Sequence, residues 1–182
     1  MKTQATVRRP PRARLKKIRL LIFDFDGIFT DNFVYLTQDG RELKKFFVPD
    51  GVGIWLLHEA KIHVAIVSGN NTETTNARAR RLKIKYVYQD VRDKTEPYER
   101  LKKKLGLADD ECLFMGDDLT DRKIMVQAGI SVAPPDAHPK IKKIATWITK
   151  KPGGHGAIRE VAEAVLQAQG RLMSAFEEKP VG

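Results

Sequence analysis

The chain has 182 residues, 42% of them hydrophobic and 31% charged, the balance of an ordinary globular domain. It holds no apolar run near the roughly 20 residues that span a bilayer, and its single cysteine, Cys112, excludes an intrachain disulfide and fits a reducing, cytoplasmic setting. The formal charge of +10 is uneven: eight basic residues and no acid fall within residues 1–20, so the basicity marks a tail, and neither a membrane nor a specific nucleic acid is an expected partner.

Residues 1–17, with Pro10 and Pro11, read as a basic, disordered tail. From Leu20 onward short apolar runs alternate with helical segments. The pattern predicts strands at 20–25, 64–68, 86–88, 113–115, 131–133 and 146–148. It predicts helices at 52–60, 73–82, 95–105, 118–128, 139–144 and 157–169, several with end signals such as Thr72, Gly106 and Gly129. Between the first strand and the first helix, residues 33–36 and 43–48 flank Gln38-Asp39-Gly40 and read as a β-hairpin. The alternation implies an α/β fold: a three-layer, Rossmann-like parallel sheet without room for a large cap domain. Residues 18–171 would form this domain and 172–182 a C-terminal tail. Sites in such folds lie beyond the carboxyl ends of the strands.

Four segments at predicted strand ends carry chemistry. Asp24-Phe25-Asp26-Gly27 brings two carboxylates out of a buried strand, an arrangement that needs a compensating cation or proton, and Thr30 and Asp31 follow at the same mouth. Ser68-Gly69-Asn70 offers a hydroxyl and backbone amides before a helix, groups that bind a phosphate oxygen or simply cap a helix. Lys94 stands at a helix start, where the dipole disfavours a cation unless an anion is near. Gly116-Asp117-Asp118-Leu119-Thr120-Asp121 gathers three acids within five residues. Capping accounts for one of them; a hard divalent cation accounts for the set.

In this order and placement the four segments resemble the four motifs of the haloacid dehalogenase superfamily. The likeness is closer to its 3-deoxy-D-manno-octulosonate 8-phosphate phosphatases and the related nonulosonate 9-phosphate phosphatases. It runs through the motif-one stretch to Asp31, Asp50-Gly51-Val52-Gly53-Ile54, Ala137-His138-Pro139 and Pro152-Gly153-Gly154-His155-Gly156-Ala157-Ile158-Arg159-Glu160. Two positions depart from the octulosonate pattern. Asn70 and Pro49 stand where arginines are usual, which leaves a nonulosonate 9-phosphate open as the substrate. A noncatalytic oligomerisation module is the reading from another class.

The resemblance implies a Mg²⁺-dependent phosphatase of a phosphorylated sugar acid, serving lipopolysaccharide precursor synthesis. Asp24 would be the nucleophile and Asp26 the general acid and base. Asp24, Asp117 and the Asp26 carbonyl would hold the metal, with Asp118 and Asp121 behind them. Ser68, Gly69, Asn70, Lys94 and Thr30 would bind phosphate or substrate. It further implies a homotetramer built on the hairpin, whose Phe33, Val34, Tyr35, Phe46 and Phe47 supply an apolar surface, with neighbouring subunits completing each site. The glycine-rich turn at 153–156 would accompany a mobile segment, with His155 a candidate substrate contact.

Overall fold

The computed structural model describes residues 9–174. Eight strands occur among them: β1 (Leu20–Phe23), β2 (Tyr35–Leu36), β3 (Glu42–Leu43), β4 (His63–Val67), β5 (Tyr86–Tyr88), β6 (Cys112–Met115), β7 (Ile130–Ala133) and β8 (Trp147–Ile148). Six make one sheet in the order β5-β4-β1-β6-β7-β8, and every neighbouring pair is parallel. β1 is buried along its whole length because helices cover both faces, and its sequence is accordingly an unbroken apolar run.

The pleat sorts that run into two cores. Leu21 and Phe23 face one layer; Leu20 and Ile22 face the other. The first layer comprises α1 (Arg12–Lys16), α2 (Val48–Glu59), α3 (Glu73–Arg81) and α7 (Ala157–Gln169), which contribute Leu15, Ile54, Ala79 and Val161 to the core. The second comprises α4 (Thr95–Leu105), α5 (Arg122–Gln127) and α6 (Pro139–Ile144), which contribute Tyr98, Ile124 and Ile141. The chain reverses its direction of travel across the sheet at β1, with β4 on one side and β6 on the other. That switch point opens a crevice at the ends of these three strands.

The three-layer parallel sheet expected from the sequence is present, and four local features differ from expectation. Part of the tail is folded: Arg12–Lys16 is helical, Leu15 is buried, and Arg12 Nε donates to the Ala168 carbonyl of α7. Residues 1–8 lie outside the described residues. The helix expected from residue 52 begins at Val48. Pro49 tolerates the first turn because its missing N–H has no partner there anyway, and Asp50 favours that end of the dipole. The hairpin shrinks correspondingly to two pairs, Tyr35 with Leu43 and Leu36 with Glu42. The helix expected from residue 118 begins as a 3₁₀ turn, Leu119–Asp121, before α5.

Candidate active site

Asp24 follows β1 directly, Ser68 follows β4, and Asp117 lies two residues beyond β6. Parallel register sets Phe23 beside Ile66 and Met115, so the three loops leave the sheet at one level. Asp24 N–H still donates to the Met115 carbonyl at 2.9 Å, which holds the carboxylate at the strand mouth. Asp24, Asp117 and Asp121 are buried, and one carboxylate oxygen from each lies within 4.8 Å of the others.

Lys94 is the cation of this nest. Its Nζ lies 2.8 Å from Asp24 Oδ1 and 2.6 Å from Asp121 Oδ1, and its side chain is 3% exposed. Burial pulls the lysine's pKa down, but Asp24 and Asp121 outweigh that and hold it above the ordinary range. One lysine does not balance three acids. Burial, with Asp121 adding repulsion, pushes Asp24 up to about 8 despite Lys94. Burial also pushes Asp117 up to about 6, against the hydrogen bond from Asn32. A compact set of oxygen ligands with charge to spare suits a hard divalent cation.

Asp121 completes its bonding within the protein. Lys94 takes Oδ1, while Oδ2 accepts the N–H groups of Asp117 at 2.9 Å and Asp118 at 3.2 Å. It therefore shapes the loop that presents Asp117. Asp118 is exposed, and its carboxylate accepts the Leu119 N–H at 2.7 Å, capping its own turn. His138 N–H donates to the Asp117 carbonyl at 2.8 Å, so the start of α6 pins the same loop.

Asp26 is turned elsewhere. Its Oδ1 lies 2.7 Å from Lys44 Nζ, and its Oδ2 accepts from Asn70 Nδ2 at 2.9 Å. Ser68 Oγ accepts the Asn70 N–H at 3.2 Å, and Gly69 is exposed at the same loop. Thr30, expected at the substrate, is fully buried instead. Its hydroxyl accepts from Gly27 at 3.3 Å and Asn32 at 3.4 Å and so folds the loop after Asp24. Sequence reasoning missed Asn32, whose amide donates to Asp117 Oδ2 at 2.8 Å from a left-handed backbone of φ 64°. It also missed Lys44; neither residue belongs to a periodic pattern.

The glycine-rich turn is a wedge. A Cβ on Gly153 would stand 1.7 Å from the Gly27 carbonyl oxygen, and Gly154 N–H donates to the Ile28 carbonyl at 3.0 Å. Asp50 of α2 accepts the N–H groups of Gly156 at 3.1 Å and Arg159 at 2.9 Å, so it caps α7 across the interface. The turn thus braces the loop that follows Asp24. The His155 ring nitrogen Nδ1 sits 2.9 Å from the Gly153 carbonyl within the turn itself.

A family model for haloacid dehalogenase-like hydrolases matches residues 83–161. The 3-deoxy-D-manno-octulosonate 8-phosphate phosphatase of Yersinia pestis is 41% identical over 162 residues, covering 89% of this chain and 87% of that protein. The Escherichia coli K12 enzyme of that name is 40% identical, covering 90% of this chain and 87% of its own length. The Moraxella catarrhalis phosphatase, solved with a magnesium ion, a phosphate ion and a KDO molecule, superposes with a TM-score of 0.88 at 34% identity, over 91% of this chain and 95% of that one. The chain therefore belongs to the haloacid dehalogenase-like hydrolases, in the branch of the 3-deoxy-D-manno-octulosonate 8-phosphate phosphatases.

Proposed function

We propose that the protein is a Mg²⁺-dependent phosphatase that hydrolyses 3-deoxy-D-manno-octulosonate 8-phosphate through a phosphorylated Asp24. The observation that carries this reading is the buried convergence of Asp24, Asp117 and Lys94 at one strand mouth, in a chain 41% identical to a phosphatase of that substrate. The Asp24 and Asp117 carboxylates and the Asp26 carbonyl would hold Mg²⁺. When bound, the ion supplies the positive charge that offsets repulsion between these acids and a substrate phosphate.

The chain's own groups divide the remaining work. Asp24 attacks phosphorus in line while Lys94 neutralises charge beside it. Ser68 and the amides of Gly69 and Asn70 cradle the phosphoryl oxygens. Asp26 protonates the departing sugar oxygen, then takes a proton from the water that cleaves the aspartyl-phosphate. Asp121, held by Lys94 and two amides, fixes the Asp117 loop, and Asp118 caps it.

The exposed apolar residues of the hairpin, with Phe33 at 66%, Tyr35 at 56% and Leu36 at 70%, support assembly into a homotetramer through this surface. Phe46, expected among them, instead packs edge-on against Phe25 at 5.9 Å between ring centres. Among the described residues no helix is long and apolar enough to cross a membrane. We place the enzyme in the cytoplasm, in lipopolysaccharide precursor synthesis. The test is a phosphosugar hydrolysis screen with and without Mg²⁺. Preference for the octulosonate 8-phosphate supports the assignment, preference for a nonulosonate 9-phosphate moves it to that substrate, and no metal-dependent turnover of any phosphate leaves only an oligomerisation module.

A further inference from the structure

Asp26 differs from the other carboxylates in what holds it. Lys44 reaches its Oδ1 from just beyond β3, and Asn70 reaches its Oδ2 from the loop after β4. The Lys44 side chain is 2% exposed although the hairpin around it is open to solvent. Its ammonium also lies 5.5 Å from the centre of the Phe25 ring. Withdrawing a lysine this far from water is costly unless a counter-charge meets it, and Asp26 does so at 2.7 Å. Two donors from separate elements, one on each oxygen, fix both the direction and the plane of the carboxyl group. Each oxygen retains a second lone-pair direction for other partners.

We propose that Lys44 and Asn70 are positioning residues for Asp26, aligning its carboxyl group so that its proton is delivered to the leaving oxygen. The inference rests on Asp26 being the general acid. In the first half-reaction the Asp24–phosphorus bond forms as the bond from phosphorus to the sugar oxygen breaks. That oxygen takes the proton of Asp26, and both donors remain to receive the resulting carboxylate. In the second half-reaction Asp26 takes a proton from water as the water oxygen bonds to phosphorus. The Asp24–phosphorus bond then breaks and inorganic phosphate leaves. Asn70 supplies its grip without adding a charge.

Proton delivery matters in proportion to the basicity of the leaving group. Glycerol 3-phosphate releases a strongly basic alkoxide, whereas p-nitrophenyl phosphate releases a stable phenolate. In Lys44→Met and Asn70→Ala the kcat for glycerol 3-phosphate is expected to fall about 10²-fold. That fall should exceed the one on p-nitrophenyl phosphate by about tenfold or more, as it should for Asp26→Ala. Lys44→Arg should recover part of the loss. Thermal melts check that Lys44→Met folds, and the exposed Asn70 carries the test if it does not. Equal losses on the two substrates, no loss on either, or a loss confined to sugar phosphates bearing a carboxylate would each overturn the assignment. Failure of the leaving-group signature in Asp26→Ala alone would locate the error in the acid rather than in its holders. A wild type inactive on these two substrates and on every sugar phosphate with Mg²⁺ would locate it in the phosphatase reading.

Discussion

The mouth of the central sheet and the β2–β3 hairpin meet at the Lys44–Asp26 contact, yet they are built in opposite ways. At the mouth, polar groups are buried and held by partners within the protein: Asp121 takes one ammonium and two amides. The hairpin has two residue pairs and turns Phe33, Tyr35, Leu36 and Leu43 to solvent. The first region has an internal excess of negative charge; the second has an excess of exposed apolar surface. The first suits a cation, the second an apolar surface.

The largest expected effect sharpens the first half of this contrast. Asp24→Asn should reduce steady-state turnover by at least about 10³-fold while leaving the fold intact, because it removes the proposed nucleophile and keeps its shape. Circular dichroism alongside the assay separates the two. Next comes Gly153→Ala, which drives a methyl group into the Gly27 carbonyl. A destabilisation of about 3 kcal/mol is expected in urea titration, with loss of activity as the loop after Asp24 shifts. Asp50→Ala removes the acceptor for two α7 amides and should cost about 1–2 kcal/mol by the same measurement.

Metal and pH probe the charge excess directly. Asp24 and Asp117 titrate in the folded state near 8 and 6, above the roughly 4 of an unfolded aspartate. Folding therefore takes up protons across that window. The resulting stability is complete below about pH 4 and is lost as pH rises through 6 and then 8. Mg²⁺ competes with the same protons, so its effect on the melting temperature should grow from pH 5 to pH 8. An equal or larger effect at pH 5 would contradict the ligand set. The smallest effect on chemistry is expected at the hairpin, where Leu36→Lys should lower the mass measured by light scattering with little change in monomer fold.

What could be read in advance divides along the same line. Residues at strand ends were legible because a parallel sheet puts every apolar run's carboxyl end at one mouth, so Asp24, Ser68 and Asp117 declared themselves by position. Lys94 was legible because a cation at a helix start needs an anion, and it found two. Lys44 and Asn32 were not, since their roles depend on where a hairpin folds back, which no local periodicity encodes. Thr30 was misassigned because a hydroxyl beside a site can serve the loop as readily as a ligand. The start of α2 lies earlier than the pattern suggests because residues 43–48 read as a hairpin arm, whereas a first turn accepts Pro49. The helix at residues 12–16 was missed because charge and proline outweighed the single apolar anchor, Leu15.

Rapid acid quenching during turnover of a phosphorus-labelled sugar phosphate, followed by peptide mapping directly and, in a parallel sample, after borohydride reduction, examines the chemistry at Asp24 itself. A phosphorylated Asp24 predicts label in the unreduced peptide that carries it, conversion of that residue to homoserine with release of the label on reduction, and loss of both in Asp24→Asn. Continued turnover with no labelled protein, or with label on another residue, would contradict it.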